Sequence, residues 1–342
     1  MQNEKKSQLQ QALADRVMEW ITGGWVQQAI YVAAKLGIAD LLADGPKNVG
    51  ELAEATETHA PSLHRILRAL CGIGLFREEG EQRFALGPLG SYLQSGANSL
   101  RGMAIMMGEK WHRDAWSNIM YTVKTGKSAF QDVHGMGVFA YLERHPDAGE
   151  QFNQAMSDMS NRMASALVRA YDFSPYDKVI DVGGGHGRLM TAILNAYPGL
   201  KGAIYDVPAV IEGTRRHIAE AGLADRCACI GGSFFESVPA GGDLYMMKNI
   251  IHDWNDEEAV AIFRNCRRAI REDGKLLVIE MVVPANNQPH PSMLIDLEMM
   301  IMATGKERTE AEFRTLFRKA GFELQRIIPT SAAVSMLEAV PV

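Results

Sequence analysis

Residues 178–206 constrain the fold of this chain more than any other stretch. An apolar run, Val179-Ile180-Asp181-Val182, leads directly into Gly183-Gly184-Gly185-His186-Gly187, and a second run, Gly202-Ala203-Ile204-Tyr205, ends at Asp206. A strand, a glycine turn and a helix that returns to another strand make a βαβ unit, which belongs in a parallel sheet. Cys227–Ile230, Leu244–Met247 and Leu276–Glu280 continue the alternation, so the region after Ser174-Pro175 is predicted to be α/β, a doubly wound sheet with helices on both faces. The segments Phe322–Thr330 and Val334–Ala339 are too close together for a parallel crossover and are predicted to form an antiparallel hairpin at the sheet edge.

Open α/β sheets bind ligands outside the carboxyl ends of their strands. The glycine turn therefore marks a ligand rim, with Gly183 expected in a conformation closed to other residues. The spacing argues against a dinucleotide site. Arg188 stands where that fingerprint needs its third glycine, and Asp181, just before the motif, is foreign to it. Asp206 at the next strand end can accept both hydrogen bonds of a ribose diol. His252 falls just beyond the fourth strand on the same rim, and Glu280 closes the neighbouring strand, which makes His252 a candidate general base. Asp253 is given a local structural role, because adjacent residues at a strand end point apart. Asn255 to Glu258 read as a helix start capped by Asn255.

The first half reads differently. Helical spacing from Ser7 to Leu42 is interrupted at Gly23-Gly24 and predicts two helices. Val49–Thr56, Pro61–Leu70 and the hairpin pattern Leu75–Leu86 make a helix–turn–helix with a β-wing. Its second helix carries His64, Arg65 and Arg68, but the net charge of −6 and Glu78, Glu79 and Glu81 in the wing oppose a phosphate backbone, so no nucleic-acid partner is expected. Residues from Leu100 to Tyr171 read as wholly helical and rich in methionine and aromatics. The predicted organisation is a winged-helix-like domain over 1–100, a helical linker over 101–173 and an α/β domain over 174–342. The polar start, the lack of a long apolar run and four cysteines without metal-ligand spacing predict a cytoplasmic protein with reduced thiols, no membrane partner and no metal.

The loop Asp181-x-Gly183-x-Gly185-x-Gly187 resembles the first motif of class I methyltransferases. With Tyr205-Asp206-Val207-Pro208, Lys248 to Trp254, Glu280 and Gly305-Lys306-Glu307-Arg308-Thr309, the chain resembles, over nearly its whole length, the plant caffeic acid type O-methyltransferases and their bacterial small-molecule relatives. The resemblance implies a Rossmann-like class I methyltransferase domain that uses S-adenosylmethionine and releases S-adenosylhomocysteine without a metal. It places Asp181, Gly183, Gly185, Asp206, Ser233, Phe234 and Lys248 at the cofactor, and His252 as base between Glu280 and Glu307. It makes the winged-helix region a dimerisation domain of an intertwined homodimer. One departure is Gly231-Gly232-Ser233-Phe234-Phe235, where relatives commonly carry an aspartate for the adenine amino group. Ser233 offers only a neutral acceptor there.

In methyl transfer from a sulfonium the protein aligns the reactants and removes the acceptor's proton. A phenol near pKa 10 and a histidine near 6.5 differ by about 3.5, so the transfer in water is uphill by roughly 5 kcal/mol. Glu280 and Glu307 are expected to narrow that gap by stabilising the imidazolium. An aliphatic alcohol would leave a far larger one, so the acceptor is expected to be a phenolic hydroxyl on a small aromatic molecule. Met103, Met107, Trp111, Met156, Met159, Asn249, Asp296, Met299 and Met300 are candidates for the substrate wall, since methionine adapts to flat rings. Two other readings remain open from sequence: a methyltransferase acting on nitrogen or carbon, or a non-methylating relative; and a winged-helix regulator that senses a metabolite.

Overall fold

A computed structural model describes residues 2–286 and 288–342, so the initial Met1 lies outside the described residues. The chain divides into two units, residues 1–113 and 114–342, with the boundary inside the stretch assigned from sequence to a linker.

In the first unit α1 (Gln2–Lys35) is a single helix that runs through Gly23-Gly24, where two helices were expected. Two interior glycines cost about 2 kcal/mol relative to alanine, which a helix of 34 residues absorbs once its far end is packed. That end buries Ala29, Ala33 and Ala34 in a core with Ile38, Leu52, Leu67, Phe76 and Phe84. The short α2 (Ile38–Leu41) precedes β1 (Lys47–Asn48), and α3 (Val49–Ala55) starts from a capping box in which the Asn48 side chain accepts an N–H and Glu51 answers the Asn48 N–H. Next come α4 (Ala60–Cys71) and the wing, β2 (Phe76–Glu78) and β3 (Arg83–Leu86), in an antiparallel sheet ordered β1-β3-β2. Helix α5 (Arg101–Gly108) packs on α1 so closely that a Cβ on Gly108 would overlap the Tyr31 ring.

Helix α6 (Lys110–Ser117) carries the boundary. The second unit opens with α7 (Ile119–Thr125), α8 (Ala129–His134), α9 (Val138–Arg144) and the long α10 (Pro146–Ala170). Strands then alternate with helices as expected, except that a loop without a helix joins β6 to β7: β4 (Lys178–Val182), α11 (Arg188–Ala196), β5 (Lys201–Asp206), α12 (Pro208–Glu220), β6 (Cys227–Gly231), β7 (Leu244–Lys248), α13 (Asp256–Ala269) and β8 (Lys275–Glu280). After β9 (Val282–Val283), α14 (Ser292–Met302), β10 (Arg308–Thr309) and α15 (Glu310–Lys319), the chain ends in β11 (Phe322–Pro329) and β12 (Ser335–Pro341). The main sheet is ordered β11-β12-β8-β7-β4-β5-β6, parallel except for the terminal hairpin, whose β12 pairs antiparallel with β8. The strand order reverses at β4, so the crevice at the carboxyl ends of β4, β5 and β7 is the ligand rim of a doubly wound sheet. Both faces are covered, and Leu244 to Met247 are fully buried. Among the described residues no helix is long and apolar enough to cross a membrane.

Candidate active site

The glycine loop is built for close approach. Gly183, Gly185 and Gly187 have φ of 73°, 56° and 78°, and a Cβ on Gly183 would come within 2.4 Å of Ile250 in the segment that follows β7. These are left-handed conformations that glycine adopts without a steric cost. Asp206 ties the loop to β5. One of its oxygens accepts the Gly185 N–H at 2.8 Å and the other the Val207 N–H at 2.7 Å, and each keeps a further lone pair for a ligand. The Thr214 hydroxyl on α12 donates to the Gly185 carbonyl at 2.8 Å. Asp181 is buried, and burial pushes its carboxyl up to about 7 against the pull of Lys248; burial in turn lowers the Lys248 ammonium. A glycine cradle beside a β5-end carboxylate, with the N–H groups of α11 opening at the rim, fits a nucleoside-bearing ligand. After β6 the Ser233 hydroxyl accepts the Phe235 N–H at 3.3 Å, and Phe234 and Phe235 both meet the Trp254 ring edge-on.

The segment that carries His252 leaves β7 through a strained turn. Asn249 has φ of 53°, which asparagine tolerates better than most residues, and its N–H donates to the Ile279 carbonyl at 3.0 Å. The turn aims the next two N–H groups, of Ile250 and Ile251, at a single oxygen of Glu280, each at 2.9 Å. A 3-10 turn over Ile251–Asp253 then presents His252. Its Nδ1 lies 2.7 Å from Glu307 Oε1 and 3.7 Å from Glu280 Oε2. Since an ionised carboxylate only accepts, Nδ1 carries the proton and Nε2 the free lone pair when the ring is neutral. Burial alone would lower the imidazolium pKa, but Glu280, Asp253 and Glu307 outweigh it and raise His252 to about 10.

The Gly305–Thr309 motif holds this pair in register. Pairing of β9 with β10 brings Glu307 beside the sheet, and the Glu307 N–H donates to Asp296 on α14 at 2.8 Å. Arg308, fully buried, donates to the carbonyls of Ile251 at 2.9 Å, Trp254 at 2.7 Å and Lys306 at 3.3 Å, and to Asp256. It thus clamps the chain on either side of His252 and the residue before Glu307. Gly305 sits where a Cβ would overlap the His252 carbonyl. Thr309 caps α15. Two carboxylate oxygens, Glu280 Oε2 and Glu307 Oε2, are buried without a hydrogen-bond partner.

The structure therefore brings Asp181, Gly183, Gly185, Asp206 and Lys248 to one rim and gathers His252, Glu280 and Glu307 into one cluster, with Ser233 and Phe234 at the end of the outermost parallel strand. Asn255 caps α13 through a capping box with Glu258, as expected. Asp253 departs from the sequence reading. The 3-10 turn replaces strand alternation, so its carboxylate lies 3.7 Å from His252 Nε2 rather than pointing away. Met156 and Met159 lie on α10, and Met299 and Met300 on α14, where Asp296 is committed to the Glu307 backbone. Met103 and Met107 lie on α5 and Trp111 on α6, in the first unit. Arg308 went unassigned from sequence, because its neighbours from Thr304 to Glu312 are mostly polar or charged and read as an exposed turn.

Residues 116–323 match the family described as the O-methyltransferase domain, and residues 18–96 match the O-methyltransferase dimerisation domain. Over 331 residues the chain is 45% identical to the phenazine O-methyltransferase of Lysobacter antibioticus, covering 96% of this chain and 97% of that protein. The crystal structure of LaPhzM superposes with a TM-score of 0.94 at 45% identity, covering 96% of this chain and 99% of that one. An O-methyltransferase from neocarzinostatin biosynthesis, in complex with S-adenosyl-L-homocysteine and 1,4-dihydroxy-2-naphthoic acid, is 32% identical with a TM-score of 0.79, covering 92% of this chain and 96% of that one. Relatives at 31% identity also include proteins named as N-methyltransferases.

Proposed function

The chain belongs to the S-adenosylmethionine-dependent O-methyltransferase family, in its small-molecule secondary-metabolite branch, and on that premise we propose that it methylates a phenolic hydroxyl of a small aromatic metabolite with His252 as general base. The observation that carries this reading is the 2.7 Å contact of His252 Nδ1 with Glu307, which leaves Nε2 as the basic atom. S-adenosylmethionine supplies an electrophilic methyl group on a sulfonium.

The chain's own residues do the rest. Asp206 and the Gly183–Gly187 loop hold the ribose side of the cofactor, Ser233 and Phe234 its adenine side, and Lys248 with Asp181 the floor between them. Nε2 takes the acceptor's proton while Glu307, and behind it Glu280, stabilise the imidazolium. A base near 10 facing a phenol near 10 makes a transfer that is uphill by roughly 5 kcal/mol in water close to level. An aliphatic alcohol, with a pKa near that of water at about 15.7, stays far uphill.

Methylation of nitrogen is the second reading, favoured by the N-methyltransferases among the relatives. A nitrogen nucleophile presents its own lone pair and has less need of a base. The deciding experiment supplies labelled S-adenosylmethionine with a panel of phenols, hydroxyindoles, aromatic amines and dihydroxynaphthoates to the native protein and to His252→Ala. Phenol turnover that vanishes in the variant while cofactor affinity persists is the expected result, and unchanged turnover refutes the base. The first unit is the part we assign to homodimer formation. In support, its matched dimerisation domain includes an α1 surface that exposes Trp20, Ile21 and Trp25 by 67%, 70% and 78%. Sedimentation at micromolar concentration tests this, and a monomer contradicts it.

A further inference from the structure

We propose that the His252, Glu280 and Glu307 cluster is also an inhibitory site for a zinc-class divalent cation, bound through His252 Nδ1 and one oxygen of each glutamate. The ion is an inhibitor and not a cofactor. Only its inhibitory consequence rests on His252 being the base; its binding does not.

Three observations converge. The three side chains each offer a ligand atom, and these atoms lie within 4.8 Å of one another. One imidazole with two carboxylates is a borderline N/O donor set of the kind zinc takes with three protein ligands and one open position. Calcium and magnesium instead want six or more oxygens or several retained waters, which this cluster does not offer. Second, Glu280 Oε2 and Glu307 Oε2 are buried without a hydrogen-bond partner, although Glu280 is fully enclosed and its other oxygen is satisfied twice by backbone N–H groups. A buried carboxylate oxygen without a hydrogen bond is costly, and a cation bound to Glu280 Oε2 offsets that cost there. Third, the edges are near those of a coordination polyhedron. Nδ1 lies 2.7 Å from Glu307 and 3.7 Å from Glu280. Ligand bonds of about 2.0–2.1 Å set tetrahedral edges of about 3.4 Å, so side-chain shifts of about 1 Å complete the site.

The consequence for catalysis follows from the proton. In the neutral ring Nδ1–H donates to Glu307 and Nε2 holds the lone pair. A metal bound to Nδ1 takes that lone-pair position, so the single N–H of the neutral ring must sit on Nε2. The atom that receives the acceptor's proton is then already protonated. The glycine loop and Asp206 lie on other strands and keep their geometry, so cofactor affinity should persist.

The test is calorimetric titration of the full-length protein with zinc chloride in a non-chelating buffer, repeated on Glu307→Gln and His252→Gln, with cofactor affinity confirming that each variant is folded. Cobalt(II) substitution is read by its visible absorption, which is intense only for low-coordinate sites. The expected result is one ion per chain, weakened about tenfold or more in both variants, with reversible loss of methyl transfer restored by EDTA and unchanged cofactor affinity. No binding at about 100 μM zinc, which would show any site bound by about 5.5 kcal/mol or more, overturns the proposal. So does binding undiminished in both variants, which locates the ion at another site such as the cysteines. Binding weakened by both variants but without loss of turnover leaves the ion site standing and overturns the reading of His252 as base.

Discussion

Replacing Glu307 by glutamine removes a charge while keeping size and an acceptor oxygen, and its effect on rate should depend on pH in a way that a merely structural role cannot mimic. A hydrogen bond to a charged group contributes about 1.5–3 kcal/mol and a neutral one about 0.5–1.5, so Glu307→Gln removes about 1–2 kcal/mol of imidazolium stabilisation. At 1.36 kcal/mol per unit, the His252 pKa falls by about 1 from its value near 10. Below that pKa two changes cancel: the neutral fraction rises about tenfold while the base becomes about tenfold weaker. Above it only the weaker base remains. Turnover at saturating cofactor and phenol should therefore differ by less than about threefold at pH 7, and by about tenfold on the alkaline plateau, with the rising limb of kcat displaced about 1 unit toward acid. Radiolabel transfer measured from pH 6 to the alkaline limit of stability reads all three. A loss of constant size at every pH, or a limb that does not move, refutes the electrostatic role of Glu307. The same raised pKa bears on stability. A group whose pKa is raised on folding stabilises fully below its unfolded value near 6.5 and ceases to do so as pH rises through about 10, so the melting temperatures of the native protein and the variant should converge at high pH.

Glu280→Ala orphans two buried N–H groups at once, and should cost about 2–4 kcal/mol of stability in urea unfolding, which sets it apart from Glu307→Gln. Arg308→Lys keeps the charge but cannot reach the Ile251 and Trp254 carbonyls with a planar fork. Its kcat should fall about tenfold or more with little change in KM, and an unchanged kcat would show that the clamp does not set the His252–Glu307 distance. Gly183→Ala forces a side chain into a left-handed backbone and against Ile250. It should lower stability by about 1–3 kcal/mol and weaken cofactor binding in calorimetry, whereas native affinity would mean that the loop relaxes freely.

The second unit was legible because each strand is a short buried run whose apolar pattern is local; β4 to β8 all lie where that pattern put them. What periodicity and spacing alone could not give was anything resting on a long-range contact, and Glu307 reached His252 only through the family resemblance. The short parallel pair β9–β10 has two residues per strand and no periodicity, yet it carries Glu307 to His252. The glycine pair in α1 looked like a break because propensity is local, whereas helix continuity is decided by what the far end packs against. Asp253 was misdirected by extending strand alternation one residue too far, into a turn. Glu280 was read as a direct partner of His252, and the structure gives it a second task, holding the turn itself by two N–H groups.

The hydrogen bond from the Glu307 backbone to Asp296 has a consequence for how such a protein can change its acceptor. Helix α14, whose Met299 and Met300 are expected from sequence to line the acceptor wall, also holds the backbone of Glu307, the residue proposed to set the strength of the base. A substitution that tilts α14 to admit a bulkier ring will drag Glu307 away from His252. New acceptors are thus bought with slower proton removal, and adaptation of this scaffold should favour changes at Met299 and Met300 that reshape side chains while leaving the helix axis where it is.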